Sequence, residues 1–204
     1  MRVLPVIYRA KERVFADKLE EATDPSIVYV TDLVSCSQKR VFRLEMPLAA
    51  FRFEPPLLLG DLVHLGLERL LEEEGWVAEV EVEKRVEVDG RVYTLRGRAD
   101  AVLFDENGVR HVVEIKTARS IERPLEHHML QLQIYMELLG AEGGSIVYVT
   151  PDKILEFEVP RRSVDVERLV AETVRNEARP RFDWECRYCP FRRFCPYARL
   201  EERQ

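Results

Sequence analysis

Asp100, Glu114 and Lys116 are the residues of this chain best placed to do chemistry together. They lie in the stretch 97–116, GRADAVLFDENGVRHVVEIK, which reads as a strand, a tight turn at Glu106-Asn107-Gly108 and a second strand. A hairpin loop of that size commonly ends on a left-handed residue, and Gly108 supplies one. With Asp105 and Val109 flanking the loop, Asp100 falls directly across from Glu114. Side chains alternate along a strand, so Lys116 shares a face with Glu114. Two carboxylates and an ammonium then converge among Ala99, Val102, Leu103, Val112, Val113 and Ile115. Facing like charges repel in a sheet, and burying them unpaired is unfavourable. A divalent cation relieves both problems.

Magnesium or manganese takes oxygen ligands and keeps several waters, and the backbone carbonyl of Ile115 can join the carboxylate pair. Such an ion polarises a phosphoryl oxygen and acidifies a bound water. Lys116 would position that water or stabilise charge on phosphorus. The plainer alternative is a structural salt bridge between Lys116 and one carboxylate. His64, in Gly60-Asp61-Leu62-Val63-His64, is either a hydrogen-bonded core histidine or an imidazole completing a metal shell. Gln131 and Tyr135 are one helical turn apart. By themselves they are the polar edge of a helix; beside a metal site they would orient the lysine or a phosphate.

The chain has four cysteines, Cys36, Cys186, Cys189 and Cys195, the last three spaced C-x2-C-x5-C. Four thiols make one tetrahedral set. Disulfides are uncommon in a cytoplasmic protein, hyperthermophiles excepted. Zinc usually takes paired C-x2-C knuckles, and Cys36 has no neighbour of that kind. The steps Cys189-Pro190 and Cys195-Pro196 suit iron–sulfur ligation, which is the preferred reading. A cluster would join residue 36 to the tail and clamp both flanks of a sheet.

The elements that must hold these residues follow from periodicity. Pro5 to Glu21 has an amphipathic helical pattern through Ile7, Ala10, Val14 and Leu19. Thr31 is the expected cap of a helix through Val34, Cys36, Arg40 and Arg43. After a break at Pro55-Pro56, Leu57 to Glu74 has the apolar density of a buried helix, ended by Gly75. Val80 to Val88 and Val92 to Leu95 alternate around a turn at Asp89-Gly90. Pro124 to Leu139 is a helix with Leu125, Met129, Leu132, Met136 and Leu139 inward. Ser145 to Thr150 and Ile154 to Val159 are strands, and Ser163 is the expected cap of a last helix through Val166 to Val174. A helix between the strand at Lys116 and that at Ser145 implies a crossover in a mixed sheet. The fold class is therefore α/β, a mixed central sheet flanked by helices.

At 204 residues, 46% hydrophobic and 33% charged, the chain has the size and composition of one soluble domain. No apolar run approaches a membrane span, and residues 1–5 lack a secretion block, so a cytoplasmic location without membrane partners is expected. The net charge of −6 and pI near 5.4 do not advertise nucleic-acid binding. Arg181 to Arg199, however, carries five arginines against Asp183 and Glu185, and a local basic surface suffices for DNA. Arginine outnumbers lysine 25 to 6, which suits phosphate contacts but equally a codon bias or a hot habitat.

Gly60-x3-His64, Gly97-x2-Asp100, Glu114-x-Lys116 and Gln131-x3-Tyr135, in that order, resemble the motifs of RecB-type nucleases in the PD-(D/E)xK superfamily. The early lone cysteine and the C-terminal triplet resemble its iron–sulfur branch, which includes nuclease domains of certain helicase–nucleases and small stand-alone CRISPR-associated nucleases of the family numbered four. The resemblance spans residues 29–197; Ala99 stands where the superfamily has the proline of its Pro-Asp. It implies a restriction-endonuclease-like fold with a C-terminal iron–sulfur segment. It also implies His64, Asp100, Glu114 and the Ile115 carbonyl as ligands of Mn2+ or Mg2+, Lys116 as the catalytic lysine, and Gln131 and Tyr135 as supporting residues. Cys36, Cys186, Cys189 and Cys195 would hold a [4Fe-4S] or [2Fe-2S] cluster. The expected organisation is a single nuclease domain over 1–204, with a helical segment at 29–56, the core at 57–178 and the cluster segment at 179–204. The activity implied is 5′-to-3′ trimming of single-stranded DNA ends, preparing spacers for CRISPR arrays beside integrase proteins, with homo-oligomerisation left open. Arg40, Arg43, Arg96, Arg98, Arg192 and Arg193 are candidates for a single-strand funnel. The rival class is a non-catalytic adaptor that binds DNA ends.

Overall fold

The structure is a computed structural model that describes residues 2–50 and 54–199. Residues 51–53 of the expected 29–56 segment, and 200–204 of the tail, lie outside the described residues. In chain order the elements are α1 (Leu4–Thr23), β1 (Ile27–Tyr29), α2 (Val30–Leu33), α3 (Ser37–Glu45), α4 (Pro47–Ala50), α5 (Pro55–Glu73), β2 (Val77–Val88), β3 (Arg91–Asp105), β4 (Gly108–Thr117), α6 (Glu126–Leu139), β5 (Gly143–Val149), β6 (Ile154–Val159), α7 (Val166–Val174) and α8 (Glu185–Tyr188).

The six strands form one mixed sheet around the long strand β3. One edge of β3 pairs antiparallel with β2 along most of its length. The parallel strand β1 pairs with its Thr94–Arg96 part, and antiparallel β4 with its Ala101–Asp105 part. The antiparallel β2 can occupy only one edge of β3, so β1 and β4 divide the other, and positions 97–100 fall between them. Beyond β4 the sheet continues with β5, parallel, and β6, antiparallel. α6 is the expected crossover between the two parallel strands.

The hairpin register at the site end is the expected one, although its turn differs. Ala101 pairs with Val113, Val102 with Val112 and Leu103 with His111; a bulge then shifts the ladder to Phe104–Val109 and Asp105–Gly108. The loop is therefore Glu106-Asn107, closed by Asn107 N–H donating to Asp105 Oδ1 at 2.8 Å. The shorter loop and the extra bulged residue cancel, leaving Asp100 and Glu114 next in line beyond Ala101–Val113. Gly108 keeps its positive φ, at 129°.

One core packs Val28, Leu33, Leu95, Val102, Ile146 and Tyr148 against Leu132 and Met136 of α6 and Val170 of α7. On a second, smaller core, Ala101, Val113 and Ile115 meet Val63, Leu67 and Leu71 of α5. The spacing of that last trio is one stripe of a helix. The rest of α5 corrects the sequence reading: Leu57, Leu59, Leu62, Leu65 and Leu70 are each at least 50% exposed. Its prolines open the helix rather than precede it, as the first turn allows. Apolar density alone does not set which face of a helix is buried; its phase does.

Other boundaries also move. The half-buried stripe of α1 is Ile7, Lys11, Phe15 and Leu19, with Ala10 and Val14 exposed. Thr31 lies inside the short α2, whose start is closed by Tyr29 N–H donating to Asp32 Oδ2 at 3.0 Å. A break then puts Cys36 at the start of α3. α7 is capped by Asp165, which accepts from Arg168 N–H at 2.9 Å, in place of Ser163. Among the described residues no helix is long and apolar enough to cross a membrane.

Candidate active site

The site forms where α5 and α6 approach one end of the β3–β4 pair. Asp100 Oδ2 accepts the Ile115 backbone N–H at 2.7 Å, so its carboxylate closes the ladder just past the last paired residues. Glu114 is 1% exposed and its Oε1 accepts from the Lys116 ammonium. Its Oε2 is buried with no hydrogen-bond partner. Burial pushes the Glu114 carboxyl up, the Lys116 ammonium works against that, and the Asp100 charge adds to it. This is a carboxylate held in place with an acceptor atom left open.

His64 reaches the same point from α5. Its Nδ1 is 3.4 Å from Asp100 Oδ1 and 3.5 Å from Glu68 Oε1. The neighbouring Asp100 carboxylate raises His64, against burial and the Lys116 ammonium. Sequence reasoning named His64, Asp100, Glu114 and Lys116, and the structure brings them together. It missed Glu68, whose ligand atom lies with those of His64 and Asp100 inside 4.8 Å of one another. The available signal was its spacing, four residues after His64 on one helix.

Gln131 and Tyr135 are both buried in α6. Tyr135 Oη accepts the Arg98 backbone N–H at 3.3 Å and hydrogen-bonds Gln131, and burial raises its phenol. The contact exists because Gly97 has no side chain: a Cβ there would stand 2.8 Å from Tyr135 Cε1. Gly97 and Tyr135 thus pin β3 two residues before Asp100. His127 and His128, at the start of α6, lie near enough to Lys116 for its charge to disfavour their protonation, after burial as the larger cause. His128 Nδ1 meets Tyr148 Oη at 2.8 Å, and the His127 ring lies tilted against Trp184 of the tail, centroids 4.9 Å apart.

That tail carries the second constellation. Cys36, Cys186, Cys189 and Cys195 line one pocket, with Lys39, Phe42 and Arg192; all four are free thiols. Burial pushes the Cys36 thiol up to about 11. Glu185, unnoticed in the sequence, organises the pocket. Its Oε1 accepts from Cys36 N–H at 2.8 Å and Lys39 Nζ at 2.9 Å. Its Oε2 accepts from Arg181 N–H at 2.9 Å and Phe182 N–H at 3.0 Å. Burial opposes its charge, but Lys39 and the N–H donors win and hold the carboxyl below its ordinary range. Phe42 packs on Phe191 and Phe194, with ring centroids 4.7 and 5.5 Å apart.

The arginines fare unevenly. Arg40 is 7% exposed and donates to Pro25 O at 2.5 Å, while Arg43 binds Asp32 at 2.7 Å and stacks over Tyr29. Both are structural and leave the funnel list. Arg96 is half-buried and Arg98 exposed, and both are paired, with Glu83 at 3.0 Å and Glu79 at 2.8 Å. Arg192 and Arg193 are exposed beside the cysteine pocket.

The chain is similar to known proteins in sequence and in fold. The PD-(D/E)XK nuclease superfamily matches residues 69–196, a span that contains Asp100, Glu114, Lys116, Gln131, Tyr135 and the three tail cysteines. The CRISPR-associated exonuclease Cas4 of Saccharolobus solfataricus is 42% identical over 187 residues, covering 88% of this chain and 92% of that protein. The crystal structure of SSO0001 superposes with a TM-score of 0.81 at 40% identity, over 93% of this chain and 97% of that one. An alkaline exonuclease, LHK-Exo from Laribacter hongkongensis, aligns with a TM-score of 0.54 at 16% identity over 82% and 91% of the two chains, a likeness of fold alone. With 42% identity over nearly the whole length and the superfamily match across the sheet, the chain belongs to the PD-(D/E)XK nucleases and, among them, to the family of the CRISPR-associated exonuclease Cas4.

Proposed function

We propose that this protein is a metal-dependent deoxyribonuclease that trims single-stranded DNA ends, working 5′ to 3′ as a cytoplasmic single-domain enzyme. Its product would serve CRISPR spacer acquisition beside integrase proteins. The observation that carries the metal-dependent reading is the buried, unpartnered Glu114 Oε2 beside Asp100, His64 and Lys116. An anionic, partly desolvated pocket of this kind suits a hard divalent cation. His64, Asp100, Glu114 and the Ile115 carbonyl would hold Mg2+ or Mn2+. When bound, the cation supplies Lewis acidity toward a phosphoryl oxygen and an acidified water.

The remaining chemistry belongs to the chain. Asp100 is kept in place by the Ile115 N–H, so its free oxygen faces His64 without a search over rotamers. Lys116, steadied by Glu114, sets a positive charge where negative charge grows on phosphorus. Tyr135 and Gln131 act at one remove, fixing the backbone at Arg98 and with it the aim of Asp100. Cys36, Cys186, Cys189 and Cys195 would hold an iron–sulfur cluster, [4Fe-4S] or [2Fe-2S], as a structural staple. Their common pocket and the Glu185 clamp support that role.

The test is a single-stranded oligonucleotide labelled at one end or the other, incubated with Mn2+ or Mg2+ and then with EDTA. Metal-dependent release of short products from the 5′ label, abolished by EDTA, is expected. Binding of the strand with no cleavage in either metal would contradict the enzyme and favour an adaptor.

A further inference from the structure

α5 presents its leucines to solvent and buries a carboxylate. Leu57, Leu59, Leu62, Leu65 and Leu70 are exposed, and Glu68 is the only residue of the helix that is buried. Such a phase is unfavourable unless the buried acid has a partner. The partner within reach is His64 Nδ1, at 3.5 Å, and that same nitrogen faces Asp100 Oδ1 at 3.4 Å. One ring N–H cannot satisfy two carboxylates, and both separations exceed a good N–H···O bond. The three ligand atoms instead lie within 4.8 Å of one another, the spread expected of donors around one hard cation at about 2.0–2.6 Å from each.

Charge gives a second argument. Glu68 lies in the negative field of Asp100 and Glu79, and Glu114 in that of Asp100 with one ammonium, Lys116, beside it. A divalent cation would offset that excess of negative charge. Independently, Glu114 Oε2 is buried and has no partner among the described residues, so the pocket already lacks a positive group on its other side.

We propose that Glu68 is a ligand of the metal centre, binding the cation from α5 together with His64 and Asp100. The inference rests on the reading of this pocket as the metal centre of the nuclease, and adds to it a carboxylate outside the four motifs that mark it. Glu68 then gives α5 a task beyond packing: its His64–Glu68 edge closes the cation's shell while the Val63, Leu67 and Leu71 stripe anchors the helix to the sheet.

The experiment is a Mn2+ titration without DNA, read by loss of the free-ion EPR signal, on the parent and Glu68→Gln. Glutamine keeps the shape and can still accept from His64, so a residue that only orients the imidazole would leave Mn2+ affinity at the parental value. A ligand predicts a loss of roughly 10- to 100-fold, with an unchanged or higher melting temperature in EDTA because carboxylate repulsion is relieved. Equal affinity in E68Q overturns the proposal, whatever its melting temperature. A parent that binds no Mn2+ instead removes the metal-centre reading beneath it. Should E68Q fail to fold, Glu68→Asp, which keeps the charge but withdraws the oxygen, is read in the same way: weaker binding supports the ligand and equal binding overturns it.

Discussion

Tyr135 packs its ring on the bare Cα of Gly97, at a point where a methyl group would stand 2.8 Å from Tyr135 Cε1 and 2.6 Å from Val30 Cγ2. Gly97→Ala must therefore push α2 and α6 away from β3. Overpacking of this kind costs about 1–3 kcal/mol, and DNA cleavage should fall with it because Asp100 is three residues on. Gly66→Ala is the contrast: a Cβ there meets nothing within 4 Å, and an exposed helical site should gain about 0.5–1 kcal/mol. Urea unfolding of the two variants should move in opposite directions.

Glu185 joins Cys36 to a segment almost 150 residues away, separation 149, through a hydrogen bond of 2.8 Å. Glu185→Gln places an amide donor against two N–H groups and should remove about 1–3 kcal/mol at neutral pH. The folded carboxyl is held below its ordinary 4.5, so its contribution is complete above that value and is lost as pH falls through the folded one. The stability gap between parent and variant, measured in urea, should be constant from pH 7 to about 5 and close in stronger acid.

Metal binding should be acid-sensitive. Asp100 holds the His64 imidazole above its ordinary 6.5, and a ligating nitrogen must be free of its proton. Apparent Mn2+ affinity should therefore fall as pH drops from 8 to 6, approaching roughly tenfold per unit below the His64 value. His64→Asn should bind more weakly and lose most of that slope. A flat affinity in the parent across this range would contradict a role for His64.

Cys186→Ser should strip the visible absorption of the purified protein and lower its stability, since cluster binding is coupled to folding. Iron and sulfide analysis alongside absorbance separates this from a zinc site, which is colourless. A serine variant that keeps the parent's colour and melting temperature would rule out the clamp.

The hairpin that carries Asp100, Glu114 and Lys116 was legible because a strand has a period of two and a turn has few solutions. A two-residue loop in place of three leaves the register intact, since the bulge after Leu103 restores it before Asp100. Glu68 was harder to read: its spacing from His64 is a signal, but it precedes Glu72, Glu73 and Glu74, and from sequence it looks like part of a solvated run. Its burial follows from the phase of α5, which Val63, Leu67 and Leu71 set against the sheet. Glu185 was hidden for another reason. Its partners are backbone N–H groups and Lys39, and no local pattern announces contacts so distant in the chain.

Lys116 decides the central claim. Its ammonium is paired with Glu114 at the end of β4, which is either a structural bridge or the catalytic pair of a nuclease. The measurement is the rate at which end-labelled single-stranded DNA is degraded in Mn2+ by the parent and by Lys116→Ala, with folding of both checked by circular dichroism. The account predicts metal-dependent cleavage by the parent and a loss of roughly 100-fold or more in K116A, with DNA binding retained. Cleavage by folded K116A at the parental rate would contradict it.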